Sequence, residues 1–271
     1  MSHVFDLSVL LLVLVGVIVG LTTVLFGFGG GFVAVPVIVW VDHGMGGEAL
    51  RVATATSLVV MVGNALVATA ATPRATLSWL SSRRLLLVAL AGGGLIGSLV
   101  STRIPGGWVR WGFVVYTLVT FVDILVRRGF VTTRVNPSVK GGRVTNALPA
   151  PVGLPIGAIA TVLGVGGSVM TVPALRRSGT PMMQAAALAN PLTLAIVAPA
   201  MFLTFATEPP ISATEFGMVG PVDFVSGLAL LVGAIPVIVA LRRRPFPIPD
   251  RVHAVGYLIL LLISAAAVAV S

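Results

Sequence analysis

Residues 8–41, from SVLLLVLVG to VIVWV, pass without one charged side chain. As a single helix this stretch would be ~50 Å long at 1.5 Å per residue, well beyond a ~30 Å hydrocarbon core. Its middle carries GFGGGFVAVP at 27–36. Gly costs a helix interior roughly 0.5–1 kcal/mol against Ala, and Pro about 3. Inside a bilayer the cost rises, because backbone groups freed by a break find no water. Segment 8–41 is therefore expected to be a hairpin or a pair of short spans, with a partner for the freed groups.

Seven further apolar segments follow, at 48–71, 84–102, 108–126, 147–175, 183–206, 217–241 and 252–270. The chain is 57% hydrophobic and 9% charged, where a soluble domain is about 45–50% apolar and about 25% charged. The segments are long enough for membrane helices and too long for barrel strands. The expected fold is an all-α polytopic membrane protein of about 8–10 spans in a lipid bilayer. The net charge of +9 does not indicate a nucleic-acid partner, because the arginines lie between spans and form no stripe interleaved with aromatics. With no cysteine, disulfides, thiolate metal sites and a Cys nucleophile are excluded. The N-terminus has Asp6 and no Lys or Arg before its apolar run, so it reads as a first span, not a signal peptide.

The glycine cluster recurs. GFGGGFVAVPVI (27–38) matches GVGGSVMTVPAL (164–175) at an offset of 137, and IPGGWVRWGF (104–113) matches IPDRVHAVGY (248–257) at an offset of 144. Two matches in the same order indicate duplication. The chain then divides into a first membrane repeat (1–126), a basic linker (127–146) and a second membrane repeat (147–271), each repeat a glycine-broken hairpin segment plus three transmembrane helices. Loop charges orient them. Asp42 and Glu48 follow the first segment, whereas Arg74, Arg83, Arg84 and the linker are basic. In the second half Arg176 and Arg177 follow the first segment, Glu208 and Glu215 the second, and Arg242–Arg244 the third. The signs reconcile if both broken segments are hairpins and the repeats are inverted, with both termini external. Arg103 and Arg110, which this topology puts outside, run against it.

Inverted repeats with discontinuous helices are a transporter architecture whose cargo binds near the midplane. A helix that starts inside the membrane near Gly30 or Gly167 presents unpaired N–H groups and about half a positive charge. Together these make an anion site. Glycine clusters also serve as helix-packing devices, but two copies at matching positions, each preceding V-P, favour a site. A dinucleotide fingerprint would need a strand before the glycines, and membrane-apolar sequence stands there instead; no cofactor is expected. Neutral polar residues in the second segment of each half add hydrogen bonds at depth: ATATS (53–57) with Asn64, and ALANP (187–191) with Thr193. The expected substrate-binding set is Gly29, Gly30, Gly31, Thr56, Ser57, Gly166, Gly167, Ser168 and Asn190. Asp123 is expected to pair with Arg127, and His253 to lie at the interface.

The paired motifs G-x-G-G-G-x-x-x-V-P and G-x-G-G-x-x-x-x-V-P, with ATATSL at 53–58, resemble the TauE/SafE family across essentially the whole chain. The matching positions are Gly27, Gly29, Gly30, Gly31, Pro36, Thr56 and Ser57, then Gly164, Gly166, Gly167 and Pro173. The resemblance implies a multi-pass protein of the bacterial inner membrane that exports sulfite or a short organosulfonate such as sulfoacetate. Ser168 departs from the pattern by replacing a third glycine, and Asn190-Pro191 by standing where Thr-Ser would. A carrier or importer of another small anion is the alternative, and a homodimer is compatible with the sequence. An intramembrane enzyme is disfavoured. His3, His43 and His253 all lie near span ends, so no Ser–His pair is in prospect, and Asp123 and Asp223 are not placed as an aspartyl dyad.

Overall fold

A computed structural model describes residues 2–41, 49–127, 130, 148–207, 217–244 and 248–270. The linker 127–146, apart from Arg127 and Phe130, lies outside them, as do Asp42, Glu48, Glu208 and Glu215. The first apolar segment is two helices, α1 (Ser2–Phe26) and α2 (Gly31–Val41), parted at the glycine cluster. The fifth segment likewise divides into α7 (Ala150–Val162) and α8 (Ser168–Arg177). The other spans are α3 (Ala49–Ala70), α5 (Arg84–Ser101), α6 (Gly106–Val126), α9 (Met182–Thr207), α10 (Phe224–Arg243) and α11 (Asp250–Val270). Among the described residues, seven helices are long and apolar enough to cross a bilayer, and α2 and α7 are shorter apolar helices. The chain is a multi-pass, all-α membrane protein.

Two departures from the expected segments have local causes. Residues 74–81, expected as loop, form the short helix α4 (Arg74–Ser81), which buries Trp79 while its serines stay outside. Residues 217–223, expected as the start of a span, turn through Gly217 and Gly220 at positive φ. They form a ribbon of β1 (Met218–Val219) and β2 (Val222–Asp223) in antiparallel register. Asp223 then caps α10, its Oδ1 accepting from the N–H groups of Val225 and Ser226 at 3.0 and 3.1 Å.

Helix directions follow from which residues touch. On α1, Gly16 meets Leu230 and Gly233, and Gly20 meets Ala234 and Val237, so α1 and α10 run parallel. On α7, Gly153 meets Leu86 and Ala89, and Gly157 meets Leu90 and Gly93, so α5 and α7 run parallel too. At these crossings backbone lies on backbone, which only glycine allows. Helix α3 runs with α10 (Thr56 and Val60 at Gly227, Leu231 at Gly63), and α5 with α9 (Gly94 at Ile196, Ser98 at Ala200 and Thr204). Helices α6 and α11 are antiparallel: Arg110, in the first turns of α6, donates to the carbonyls of Val268 and Ala269 at the end of α11.

These directions gather Arg74, Arg83, Arg84, Arg127, Arg176, Arg177, Arg242–Arg244 and Arg251 at one end of the bundle. Arg51, Arg103, Arg110 and Asp223 stand at the other. The outer faces are apolar, for example Leu10, Leu14, Val119 and Val122, as contact with lipid requires. The interior holds the polar residues Ser57, Asn64, Ser168, Thr171, Asn190 and Thr193, none of them exposed at all. This is the reverse of a soluble core, and it marks where polar chemistry is kept away from lipid.

Candidate anion site between the glycine breaks

The first break is built on backbone that only glycine adopts readily: Gly27, Gly29 and Gly30 have φ of +74°, +63° and +104°. The second repeats it at Gly164 (+65°) and Gly166 (+67°), whereas Gly167 has an ordinary φ of −79°. The chain reverses at the first break, since Gly30 comes back against the side chain of Val19. The breaks then meet each other. A Cβ on Gly31 would lie 2.6 Å from the carbonyl oxygen of Gly164, and Gly29 and Gly166 both face Met61 on α3 and Thr193 on α9.

The backbone here leaves amides without a backbone partner. The N–H groups of Val33 and Ala34 bond Gly30 O, and those of Met170 and Thr171 bond Gly167 O. Among the described residues, no backbone acceptor stands at the amides of Phe28 through Phe32, nor at those of Gly166 through Val169. Several hydroxyls beside them are equally unsatisfied: Ser168 Oγ, Thr171 Oγ1 and Thr193 Oγ1 are buried without a hydrogen-bond partner. Buried polar groups are nearly always paired; here unpaired amides at two helix N-termini and these hydroxyls stand with two unpaired acceptors, Asn64 Oδ1 and Asn190 Oδ1, an arrangement that a polar ligand accepting from the amides can complete.

Of the expected residues, Gly29, Gly30, Gly31, Gly166, Gly167 and Ser168 come together here. Ser57 adjoins them, 3.5 Å from Gly164 O, but its hydroxyl already donates to Thr54 O at 2.7 Å. Thr56 faces elsewhere. Its Oγ1 accepts the Asp223 N–H at 2.9 Å and so ties α3 to the start of α10. Asn190 directs its amide donors to Thr23 O (3.4 Å) and Ala186 O (3.1 Å), which leaves only the acceptor Oδ1 unpaired. Thr171 and Thr193 were not in the expected set. The first sits in a variable position of the motif, and the second is three residues past Asn190, one turn along the same face.

The contacts also correct the pairing of the second segments. Gly29 meets Thr193 as Gly166 meets Met61, and Gly30 meets Asn64 as Gly167 meets Ile196. Thr193 therefore stands opposite Met61, an offset of 132, and Ala189, not Pro191, stands opposite Ser57. From its break to α9 the second half is five residues shorter than the first is from its break to α3, the offset falling from 137 to 132, which shifts the register.

Charges stay at the margin. Arg176 is fully buried and pairs with Asp250, which also accepts the Met182 N–H at 2.8 Å. Asp123 pairs as expected with Arg127 (2.8 Å), and also with Arg177 (2.6 Å). His253, in the first turn of α11, is buried against the protein and bonds the carbonyl of Leu25, in the last turn of α1. Among the described residues, no cluster of three metal-ligating side chains is present.

The family model described as sulfite exporter TauE/SafE matches residues 12–268. A protein of Methanocaldococcus jannaschii with the name "Probable membrane transporter protein" is 25% identical over 247 residues, covering 86% of this chain and 84% of that one. No solved structure matches.

Proposed function

As the chain belongs to the sulfite exporter TauE/SafE family and is a membrane transporter, we propose that it exports a small sulfur-containing anion, sulfite or a short organosulfonate such as sulfoacetate. The cargo is held between the N-termini of α2 and α8 near the bilayer midplane. The observation that carries this reading is the meeting of the two breaks at Gly31 and Gly164, each followed by amides without backbone acceptors. An oxyanion presents several acceptor oxygens and supplies the missing partners from both sides. Gly29, Gly30, Gly31, Gly166 and Gly167 provide backbone donors, and Ser168, Thr171 and Thr193 provide hydroxyls.

The transport cycle in this proposal rests on two inverted repeats, 1–126 and 147–271, joined by the linker 127–146. Their inversion is supported by counterpart contacts at fixed offsets. Gly16 and Gly20 on α10 correspond to Gly153 and Gly157 on α5, at 137 on one partner and 144 on the other, the offsets of the two sequence repeats. The antiparallel pairing of the counterparts α6 and α11 fits the same two-fold relation. The positive-inside bias makes the arginine-rich end cytoplasmic, in a bacterial inner membrane. The absence of native cysteine makes sidedness directly testable. A single Cys at Arg243 is expected to react only from the cytoplasmic side, and one at Arg103 only from outside. Reaction of both from one side overturns the inversion.

The experiment for function is flux. Proteoliposomes loaded with labelled sulfite or sulfoacetate are expected to release it, and release no faster than from empty liposomes refutes the reading. No metal or cofactor enters this scheme, and the protein is proposed not to be an enzyme.

A further inference from the structure

We propose that His253 is a positioning residue for the transport cycle. It hydrogen-bonds the seam on the cytoplasmic side of the site, whereas the counterpart seam on the outer side is held by apolar contact. This rests on the inverted repeats and the orientation proposed above, and on nothing about the cargo. Alternating access needs one seam to open as the other closes. The seams lie where the first helix of each hairpin runs past its break. Gly30 comes back against Val19, so Leu25, six residues further along α1, is ~9 Å nearer the arginine-rich end. Gly167 comes back against Ile156, so Val162, six residues further along α7, is as much nearer the other end.

Each of these helix ends meets a span of the other repeat. At the inner seam a Cβ on Gly256 of α11 would lie 3.3 Å from Phe26, and at the outer seam one on Gly112 of α6 would lie 3.4 Å from Leu163. The two pairs are counterparts, at the offsets of 144 and 137. One turn earlier on α11 and α6 the seams differ. His253 is buried, its Nε2 bonds the carbonyl of Leu25, and its ring centroid lies 5.4 Å from that of Phe26. Leu25 O stands in the last turn of a helix that stops at the break, so the amide of Gly29 does not return to it. The counterpart of His253 is Val109, which is buried and offers no donor to the carbonyl of Val162. Asp250, one turn before His253, holds Arg176 on α8 and the Met182 N–H of α9. The start of α11 is thus fixed within the second repeat, and His253 reaches across to the first. A bond at one seam and none at the other favours the state closed to the cytoplasm by roughly 2- to 12-fold, the worth of one neutral hydrogen bond.

The absence of native cysteine lets Ser57→Cys, beside the breaks, report access. A membrane-impermeant methanethiosulfonate, applied to right-side-out and inside-out vesicles holding the full chain, gives the ratio of cytoplasmic to external reaction rates. His253→Val, which makes the two seams alike, is expected to raise that ratio roughly 2- to 12-fold. His253→Gln, whose amide nitrogen reaches the place of Nε2, is expected to keep the ratio within about twofold of the parent. An unchanged ratio in a folded His253→Val protein overturns the role of His253. Should that variant not fold, an unchanged ratio in His253→Met, of similar reach and without a donor, overturns it instead. A ratio raised as much by His253→Gln as by His253→Val also overturns it, since loss of the ring and not of the bond is then the cause. So does a Ser57→Cys that reacts from neither side in any variant. The ratio is read without cargo, so its outcome is independent of the flux test of the proposed function.

Discussion

The two glycine breaks share a backbone and differ in what surrounds it. Gly27 and Gly164 have φ of +74° and +65°, and Gly29 and Gly166 have +63° and +67°. Around the first stand aromatic rings: Phe28 stacks on Phe32 at 4.8 Å, Phe32 on Phe113 at 5.1 Å, and Phe26 packs against Tyr257 and His253. Around the second stand hydroxyls, and its outgoing helix ends in two ion pairs. At the same offset of 137, α2 carries Val39 and Trp40 where α8 carries Arg176 and Arg177. The repeated part is what presents amides. The unrepeated part decides which hairpin is fixed to its surroundings and which face of a cargo meets polar groups.

The largest expected effect tests how firmly the second hairpin is held. Asp250→Asn leaves the guanidinium of Arg176 with no counter-charge at a site with no exposure. Breaking a fully buried pair costs about 3–5 kcal/mol; with Asp250 one-third exposed and Arg176 still donating to the carbonyls of Phe130 and Thr180, the lower end, about 3 kcal/mol, is expected, read as a loss of unfolding free energy in detergent. Asp123→Asn acts on a partly exposed pair with Arg177 and is expected to cost about 0–1 kcal/mol. Equal losses in the two variants would mean that burial of Arg176 does not distinguish the hairpins.

Next comes the backbone itself. Gly30 lies at φ +104°, and a side chain there would meet Val19 and the amide of Asn64. Gly167 lies at φ −79°, and its obstacle is the terminal Cδ1 of Ile196, which can move. Gly30→Val is expected to lower flux more than ~100-fold, equivalent to about 2.7 kcal/mol, and Gly167→Val about tenfold. The check is flux per inserted protein. Matched losses would indicate that the glycines serve close approach alone and not the left-handed backbone of the first break.

Much of this was legible in the sequence because the determinants are local. A run of 8–41 too long for one crossing, broken by GFGGG, can only be divided, and the counterpart at 164–168 gave the second division in the same way. Inward-facing polar residues were harder. Thr56 and Ser57 are adjacent in sequence but ~100° apart around a helix, so one adjoins the breaks and the other holds α10. Asn190 looked like a donor because sequence does not reveal that Thr23 O and Ala186 O receive its amide. Thr193 was visible as a polar residue at depth but stayed outside the expected set, because the offset between the halves falls from 137 at the breaks to 132 on α3 and α9, which an alignment of ATATS to ALANP does not reveal.

A smaller effect separates the hydroxyls. Thr193→Val keeps volume and removes an unpaired donor, and is expected to weaken sulfonate binding about 10- to 100-fold, since a hydrogen bond to a charged partner is worth roughly 1.5–3 kcal/mol. Ser57→Ala and Asn190→Ala are expected to change affinity less than about threefold, because their donors are engaged by carbonyls. Thr56→Val should leave affinity alone and loosen the start of α10 instead. Calorimetry on the four variants ranks them, and a Thr56 effect larger than that of Thr193 would relocate the site toward the ribbon at 218–223.

The smallest effect concerns the prolines. Pro36 and Pro173 are each the sixth residue of the helix that follows a break. Each lacks the N–H that would bond the carbonyl four residues earlier, freeing Phe32 O in α2 and Val169 O in α8. In α8 the loss is met by a side chain: Tyr257 Oη donates toward Val169 O at 3.3 Å and lies 3.4 Å from Ser168 O. Its counterpart at the offset of 144 is Phe113, which stacks on Phe32 and has no hydroxyl to give. Tyr257→Phe should therefore cost about 0.5–1.5 kcal/mol, the value of one neutral hydrogen bond, and should make the two hairpins alike. Phe113→Tyr runs the change in reverse, offering α2 the same donor, and is expected to raise stability by a similar or smaller amount. Thermal unfolding midpoints in detergent read both. If Tyr257→Phe leaves the midpoint in place, the carbonyl freed by Pro173 finds its partner elsewhere, and the hydroxyl at 257 is not what sets the second hairpin apart.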